Sequence, residues 1–459
     1  MRDGGSFRDP SGFIFYENGN VFRSINFSYK KNFDHLINSG LYEELVQKKF
    51  LVKHSEVKEI ENNPSQYKKL LVEKIPFISY PYEWSFNQFK DAVLLTLKIQ
   101  KISIQYGMTL KDATPYNIQF KNNKPIFIDT LSFELIKEEN YVWRPYKQFC
   151  EMFLGPICLM KHVDHSINKL LINDINGIPL WLVNKLLPIR SKFNLTVFSH
   201  IVLHNLIKEN LNSNSSKGVK KSTLSKTKHL NIIDQLEGYV SKLKAPKTNT
   251  EWAAYNEETL DEKEEYVIDK EKTVLSFLKE EKYNTCWDVG SNDGFFSYLI
   301  SKDNAENLIS FDIDWRCVDR NYLTCKEQKI SNVFPLILDL SNPSPAIGWL
   351  NLERSSIFER FSSPDLICCF ALMHHIINSG IPFDNFIDFL TKSKKDVLVE
   401  YIPLSDPKCK IIFESRDEEF QYPSLEQFKN AVSKRFSVLR THELEKTNRV
   451  LFHLRKIEK

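Results

Sequence analysis

The sequence is poor in glycine and has no paired cysteines. Glycine makes up 14 of its 459 residues, so two glycines within five residues call for an explanation. None of the eight cysteines stands in a CxxC pair, and Cys368 and Cys369 are neighbours inside an apolar run. That spacing gives neither a zinc framework nor a disulfide scaffold, and no metal site is expected. Free thiols in a reducing cytosol are the simple reading. No run of about 20 apolar residues is present to span a membrane. The opening MRDGGSFRDPSG lacks the apolar core of a secretory signal, so a cytoplasmic protein is expected. The longest apolar stretch, GIPLWLVNKLLPI from Gly177, is interrupted by Asn184 and Lys185 and predicts a buried helix. An excess of one charge is missing too. Lys and Arg number 62 against 59 Asp and Glu, a net charge of +3. This argues against a globally basic nucleic-acid binder, though not against a local basic patch.

What remains is a globular composition, 42% hydrophobic and 26% charged. The chain is too long for one ordinary core, so two domains are expected, with room for a third. KENLNSNSSKGVKKSTLSKTKH, from Lys208 to His229, offers almost nothing to bury and predicts a flexible linker or exposed loop. Its lysines suit either a solvated spacer or an acidic partner. The expected division is 1–205, a linker with a connecting helix over 206–249, and 250–459.

The last part alternates. TCWDVG, NLISFDID, VFPLILDL, DLICCFALM and DVLVEYIP read as strands, with GFFSYLISKD, WRCVDRNYLTCKEQ and FDNFIDFLTKS as helices between them. Helices are also expected over 229–245 and 259–282. FSVLRTHEL and RVLFHLRK read as a closing hairpin. Short, continuous apolar strands alternating with helices predict a mostly parallel sheet covered on both faces, with an antiparallel strand added by the hairpin.

The glycine pair lies in TCWDVGSNDGFFSYL, at the end of the first of these strands. Ligands of a doubly wound sheet sit beyond the carboxyl ends of its strands. Gly290 lets the backbone turn and removes a side chain where a ligand would approach. Gly294 permits close packing, Asn292 tolerates left-handed dihedrals, and Asp293 can cap the following helix. Asp288 and Asp293 would repel a pyrophosphate, so the loop suits a cationic or neutral ligand better. The second strand ends at Asp312, where a carboxylate can accept both ribose hydroxyls. The third ends at Asp339, where one can accept from an adenine amino group. The alternative is that each acid is a helix N-cap.

Residues 250–459 resemble a class I S-adenosylmethionine-dependent methyltransferase. Asp288-x-Gly290-x-Asn292-x-Gly294 is similar to that family's first motif, with Asn in place of the middle glycine. The resemblance implies a Rossmann-like seven-stranded sheet with an antiparallel last strand. It implies a cofactor held by Asp288, Gly290, Ser291, Asn292 and Gly294, with Asp312 on the ribose and Asp339 near the adenine. Trp252 and Tyr255, in EWAAYNEET, resemble a lead-in helix that closes over the cofactor. DLSNPSPAIGWLNLERSSIFERF followed by PDLICCFALMHHI resembles a group of bacterial two-part methyltransferases, some of them nodulation-protein-like. No substrate follows from that.

Methyl transfer from a sulfonium is an in-line displacement that needs positioning and, for some acceptors, removal of a proton. His374 and His375 follow the fourth strand and are candidate bases, or a cap and a packing residue. Glu400, ending the fifth strand, is a second candidate; it could equally bind a basic acceptor or pair with Arg416 or Arg354. Tyr401 could line the pocket.

The N-terminal part holds LKDATPYNIQFKNNKPIFIDTLSFE. Asp112, then Asn117 five residues on, then Asp129 after a strand resembles kinase-like phosphotransferases, which implies ATP and Mg²⁺ held by Asn117 and Asp129 and a hydroxyl positioned by Asp112. The departures are clear. Leu110-Lys111 stands where that family has His-Arg, and Thr130-Leu131 where it has Phe-Gly. There is no GxGxxG loop, and DPSGFIFYENGNVFRSI reads as a hairpin turning at Asn18-Gly19. A degenerate α+β lobe serving substrate recognition or packing is favoured.

The expected activity is methyl transfer to a small molecule, glycan or protein. The alternatives are a bifunctional protein whose first domain also transfers phosphate, and a non-catalytic sensor of the cofactor.

Overall fold

A computed structural model of the chain describes residues 2–58, 64–137, 140–204, 223–247, 250, 265–414 and 422–457. Its contacts divide it into two units, Met1–Lys247 with Pro345–Arg360, and Thr248–Ser344 with Phe361–Lys459.

In the first unit, β1 (Gly12–Glu17) and β2 (Asn20–Asn26) form the hairpin predicted at Asn18-Gly19. Both turn residues have positive φ, 49° and 75°, the geometry that matches the twist of the flanking strands. With β3 (His54–Val57) and β4 (Gln66–Val72) they make a four-stranded antiparallel sheet in the order β1-β2-β4-β3. Ile25, Phe33, Val52 and Leu70 pack in its core. The helix Phe86–Gln105 follows, started by a capping box in which Ser85 and Gln88 bond each other's backbone amides. Next come β5 (Met108–Leu110), the hairpin of β6 (Ile118–Lys121) and β7 (Lys124–Phe127), and β8 (Phe133–Leu135), which pairs back on β5.

Two expectations change here. GIPLWLVNKLLPI is not a buried helix. Pro179 and Pro188 confine the helix to Leu180–Leu186, and so short a helix has only one narrow face to bury. Leu180 and Val183 are covered, while Trp181 is 53% exposed. The connecting helix expected over 229–245 does form, but it starts earlier, at Lys226 inside the Ser/Lys-rich stretch, and runs to Lys242, burying His229, Ile233, Leu236 and Val240 on a single stripe. The stretch up to residue 222 lies outside the described residues.

Pro345–Arg360 belongs to the first unit, although the chain reaches it between two strands of the second. Arg360 pairs with Glu83, with 4% and 1% of their side chains exposed, and lies 4.0 Å over the Tyr80 ring. Arg8 grips Glu353 through two 2.7 Å bonds. Arg354 sits over Tyr116 at 4.7 Å. By its place in the sequence this stretch falls within 250–459, the part expected to form the C-terminal domain.

The second unit is the expected doubly wound sheet. Its strands are β9 (Tyr283–Val289), β10 (Ala305–Asp312), β11 (Val333–Ile337), β12 (Leu366–Cys369), β13 (Asp396–Tyr401), β14 (Phe436–Glu443) and β15 (Val450–Lys456). They run in the order β11-β10-β9-β12-β13-β15-β14. The first five are parallel, and β15 lies antiparallel between β13 and β14. Cys286, Leu308, Cys368, Leu398 and Leu451, one from each of five strands, share a core with Val274 and Phe277 of the helix Glu265–Leu278. All eight cysteines are free and buried.

Candidate functional site

Strand order reverses between β9 and β12, and in such sheets ligands bind beyond the carboxyl ends of the strands at this point. The Gly290–Gly294 loop forms there. Gly290, Asn292 and Gly294 have φ of 76°, 52° and 90°, so the asparagine does take the left-handed conformation expected of it. The amides of Gly290 and Ser291 both donate to the Phe311 carbonyl at 2.9 Å. The Asn292 amide donates to the Asp312 carboxylate at 2.7 Å. The loop is thereby stitched to the end of β10.

Each glycine has a distinct reason. A Cβ on Gly294 would lie 2.4 Å from the Asn321 side chain, so the close packing is with the helix Trp315–Glu327. A Cβ on Gly290 would meet Leu372 at 3.1 Å. The N-cap of the next helix is Gly294, one residue past Asp293.

The three strand-end acids have different partners. Asp288 is 1% exposed and accepts from the Ser297 hydroxyl at 2.6 Å. The Ser297 hydroxyl also lies 2.9 Å from that of Ser310, which receives the Asn321 side-chain amide. Asp288 therefore anchors the following helix from beneath the loop. Asp312 accepts from the amides of Asn292 and Asp314, and it is Asp314 that caps the next helix. Asp339, half-buried, organises a turn by accepting from Ser341 and Asn342. The N-cap alternative thus fits none of these three acids. Burial lifts the carboxyls of Asp288 and Asp312 to about 6.

Beyond β12, His374 is 4% exposed, and its Nδ1 makes no hydrogen bond. Its ring lies 4.0 Å from that of His375. Burial, helped by that neighbour, pushes His374 down to about 3, and burial lowers His375 as well. His374 is therefore a neutral imidazole at physiological pH. Glu400 is fully buried and held by Lys270 at 2.5 Å and Arg449 at 3.4 Å. These are its cationic partners, in place of the Arg354 suggested by the sequence; Arg416 lies outside the described residues. Arg449 continues to Asp406 at 2.8 Å, and Lys270 also sits over the rings of Phe296 and Phe370. Tyr401 is buried, donating to the Pro423 carbonyl at 3.0 Å and packing on Phe428, so it is tied into the core.

Sequence reasoning missed Lys270, Arg449, Ser297, Ser310 and Asn321. Two of them left a signal. Lys270 stands four residues before Val274 on an apolar helical stripe, and Ser310 interrupts a buried strand. Trp252 and Tyr255 lie outside the described residues.

In the first unit, Asp112, Asn117 and Asp129 do come together. The Asn117 amide reaches Asp112 at 3.4 Å and Ser132 at 3.0 Å. Asp129 is bound by Arg23, by the Ser132 hydroxyl and by the Leu131 amide. Burial would raise Asp129, but Arg23 and Ser132 outweigh it and hold it below the usual carboxylate range. Burial and the nearby Asp129 charge raise Asp112. Among the described residues, no group of three or more His, Cys, Asp or Glu side chains is placed to hold a metal ion.

No family model matches the chain. It is 30% identical to nodulation protein NoeA of Rhizobium meliloti (strain 1021) over 468 residues, spanning 100% of this chain and 96% of that protein. The chain belongs to the NoeA family. Structures that align with this NoeA-family chain include the N-methyltransferase NodS from Bradyrhizobium japonicum WM9 in complex with S-adenosyl-L-homocysteine. That match has 11% identity over 46% of this chain and 100% of that one, with a TM-score of 0.34. Another is the magnesium protoporphyrin IX methyltransferase ChlM from Synechocystis PCC 6803, with 13% identity over 42% of this chain and 86% of that one, at a TM-score of 0.30.

Proposed function

We propose that this NoeA-family protein is an S-adenosylmethionine-dependent methyltransferase, with its cofactor held in the second unit. The observation that carries the reading is the Gly290–Gly294 loop, folded through three positive-φ residues onto Asp312 at the switch point of the sheet. The residues fit the group. Gly290 allows the turn at φ 76°, and the Asp312 carboxylate, with several lone pairs, keeps acceptor capacity for a diol beside its backbone amide bonds. Asp339 closes the adjacent strand. Asp288 supports the cradle through Ser297. Ser291 bonds the Phe311 carbonyl through both its amide and its hydroxyl, so its part is to fix the loop.

The bound cofactor would supply an electrophilic methyl group. The chain's own task is then to place the acceptor and hold its proton. His374, neutral with an orphaned Nδ1, suits accepting a hydrogen bond from the acceptor's N–H or O–H; His375 remains beside it as a base. Glu400 is committed to Lys270 and Arg449 and serves to fix those cations. The acceptor is a small molecule, a glycan or a protein, and the first unit recognises it.

The test is calorimetric titration of S-adenosylmethionine and S-adenosylhomocysteine into wild type, Gly290→Arg and Asp312→Ala. Micromolar binding lost in both variants supports the reading. No binding by folded wild type overturns it.

For the first unit, the pairing of β5 with β8 around the β6–β7 hairpin, and the meeting of Asp112, Asn117 and Asp129, favour a kinase-like lobe. Arg23 on Asp129 favours a degenerate one, because a guanidinium holds the carboxylate a divalent cation would need. A thermal shift of wild type by ATP with Mg²⁺, abolished by Asp129→Asn, would restore the bifunctional alternative.

A further inference from the structure

The stretch from Trp181 to Phe198 in the first unit exposes large apolar side chains at an unusual density. Phe193 is 83% exposed, Ile189 and Leu195 73% each, Trp181 53% and Phe198 45%. Single exposed apolar residues need no explanation, but a cluster does. These five share one helical corner. The helix Leu180–Leu186 packs on the turn Phe198–Val202, and the turn Ile189–Phe193 packs on both Leu195–Val197 and Phe198–Val202. The corner is held from inside by Val183, Leu187, Val197 and Ile201, all buried. The exposed side chains are thus the outward residues of a folded element.

Charge separates this corner from an ordinary protein-binding patch. Lys185, Arg190 and Lys192 lie among the apolar residues, and none of them makes an ion pair among the described residues. Between Asp174 and Asp234 the sequence has a single acid, Glu209, against these three cations and six further lysines. The whole chain, by contrast, is almost balanced at +3. Aromatic and aliphatic fingers flanked by unpaired cations match the two layers of a lipid surface, acyl boundary below and anionic headgroups above. No helix among the described residues is long and apolar enough to cross a membrane, so such binding lies on the surface.

We propose that the Trp181–Phe198 corner is a peripheral docking surface for an anionic lipid bilayer. Ile189, Phe193 and Leu195 enter the headgroup–acyl boundary, and Lys185, Arg190 and Lys192 meet the phosphates. The assignment is independent of the methyltransferase reading, because it rests on a different unit.

The test is flotation of the full-length protein with vesicles of phosphatidylcholine alone, or of phosphatidylcholine with phosphatidylglycerol. Two variants accompany it, Ile189→Ser/Phe193→Ser and Arg190→Glu/Lys192→Glu. All four positions are on the surface, so melting followed by circular dichroism should match wild type. Wild type is expected to float with the anionic vesicles only, less so as salt rises. Charge reversal should lower partitioning about thirtyfold or more, each cation near an anionic surface being worth on the order of a factor of five. The serine variant should lose binding at every salt concentration. No flotation of folded wild type overturns the proposal. So does equal flotation of both variants, which would place binding elsewhere in the chain. Concentration-dependent dimerisation abolished by the serine variant, without vesicle binding, overturns it in favour of a second copy as the occupant.

Discussion

Lys270 and Glu400 meet at 2.5 Å with 6% and 0% of their side chains exposed, joining the helix before the sheet to the end of its fifth strand. Removing one member of such a pair leaves a buried charge, which costs about 3–5 kcal/mol. Glu400→Gln should therefore destabilise the protein by that order, while Lys270→Met should cost less because Arg449 still faces Glu400. The double variant should cost less than the sum of the singles. Urea unfolding of the four proteins measures the coupling; strict additivity would mean the pair contributes no interaction energy.

Gly294 combines φ of 90° with a Cβ position 2.4 Å from Asn321. Gly294→Ala should lower stability by about 2 kcal/mol or more, from backbone strain plus the clash. Gly294→Ala with Asn321→Gly should recover the part due to the clash and not the part due to strain. Thermal melts of the single and double variants separate the two.

The carboxyls of Asp288 and Asp312, raised to about 6, make apo stability fall with rising pH. Between pH 4 and 6 the folded state holds protons that the unfolded chain has released. Their contribution is full below about pH 4 and is lost as pH passes 6. A ligand donating hydroxyl hydrogens to Asp312 favours its ionised form. Cofactor affinity should then rise from pH 5 to 7 with proton release, and Asp312→Asn should flatten that rise. Calorimetry in buffers of different ionisation enthalpy reads both; a flat wild-type profile would count against Asp312 as the acceptor.

Arg360 neutralises Glu83, which is 1% exposed. A fragment ending at residue 247 lacks Arg360 and leaves that carboxylate buried without its cation. It should be less stable than the first unit in the full chain by about 3 kcal/mol or more. Glu83→Gln should narrow the gap in the fragment and harm the full chain. If urea midpoints show the substitution harming both equally, the pair is not what stabilises this region.

The sequence alone determined the pattern-based features. Continuous apolar strands alternating with helices required a parallel sheet covered on both faces. Asn18-Gly19 set a hairpin, and the spacing of Gly290, Asn292 and Gly294 set a left-handed loop, because local sterics decide which residues tolerate positive φ. These features rest on the 2.0 and 3.6 residue periods and on backbone geometry, which neighbours along the chain can specify. Partnership could not be read in this way. That Glu400 faces Lys270, that Asp129 is taken by Arg23, and that Pro345–Arg360 belongs to the first unit all depend on residues 106 to 277 positions apart. The same holds for exposure. Trp181 and Ile189 fall in a stretch that reads as a buried helix, and only the packing of Val183, Val197 and Ile201 inside that corner turned them outward. Apolar composition fixes how much surface must be buried, whereas three-dimensional packing chooses which side chains are covered.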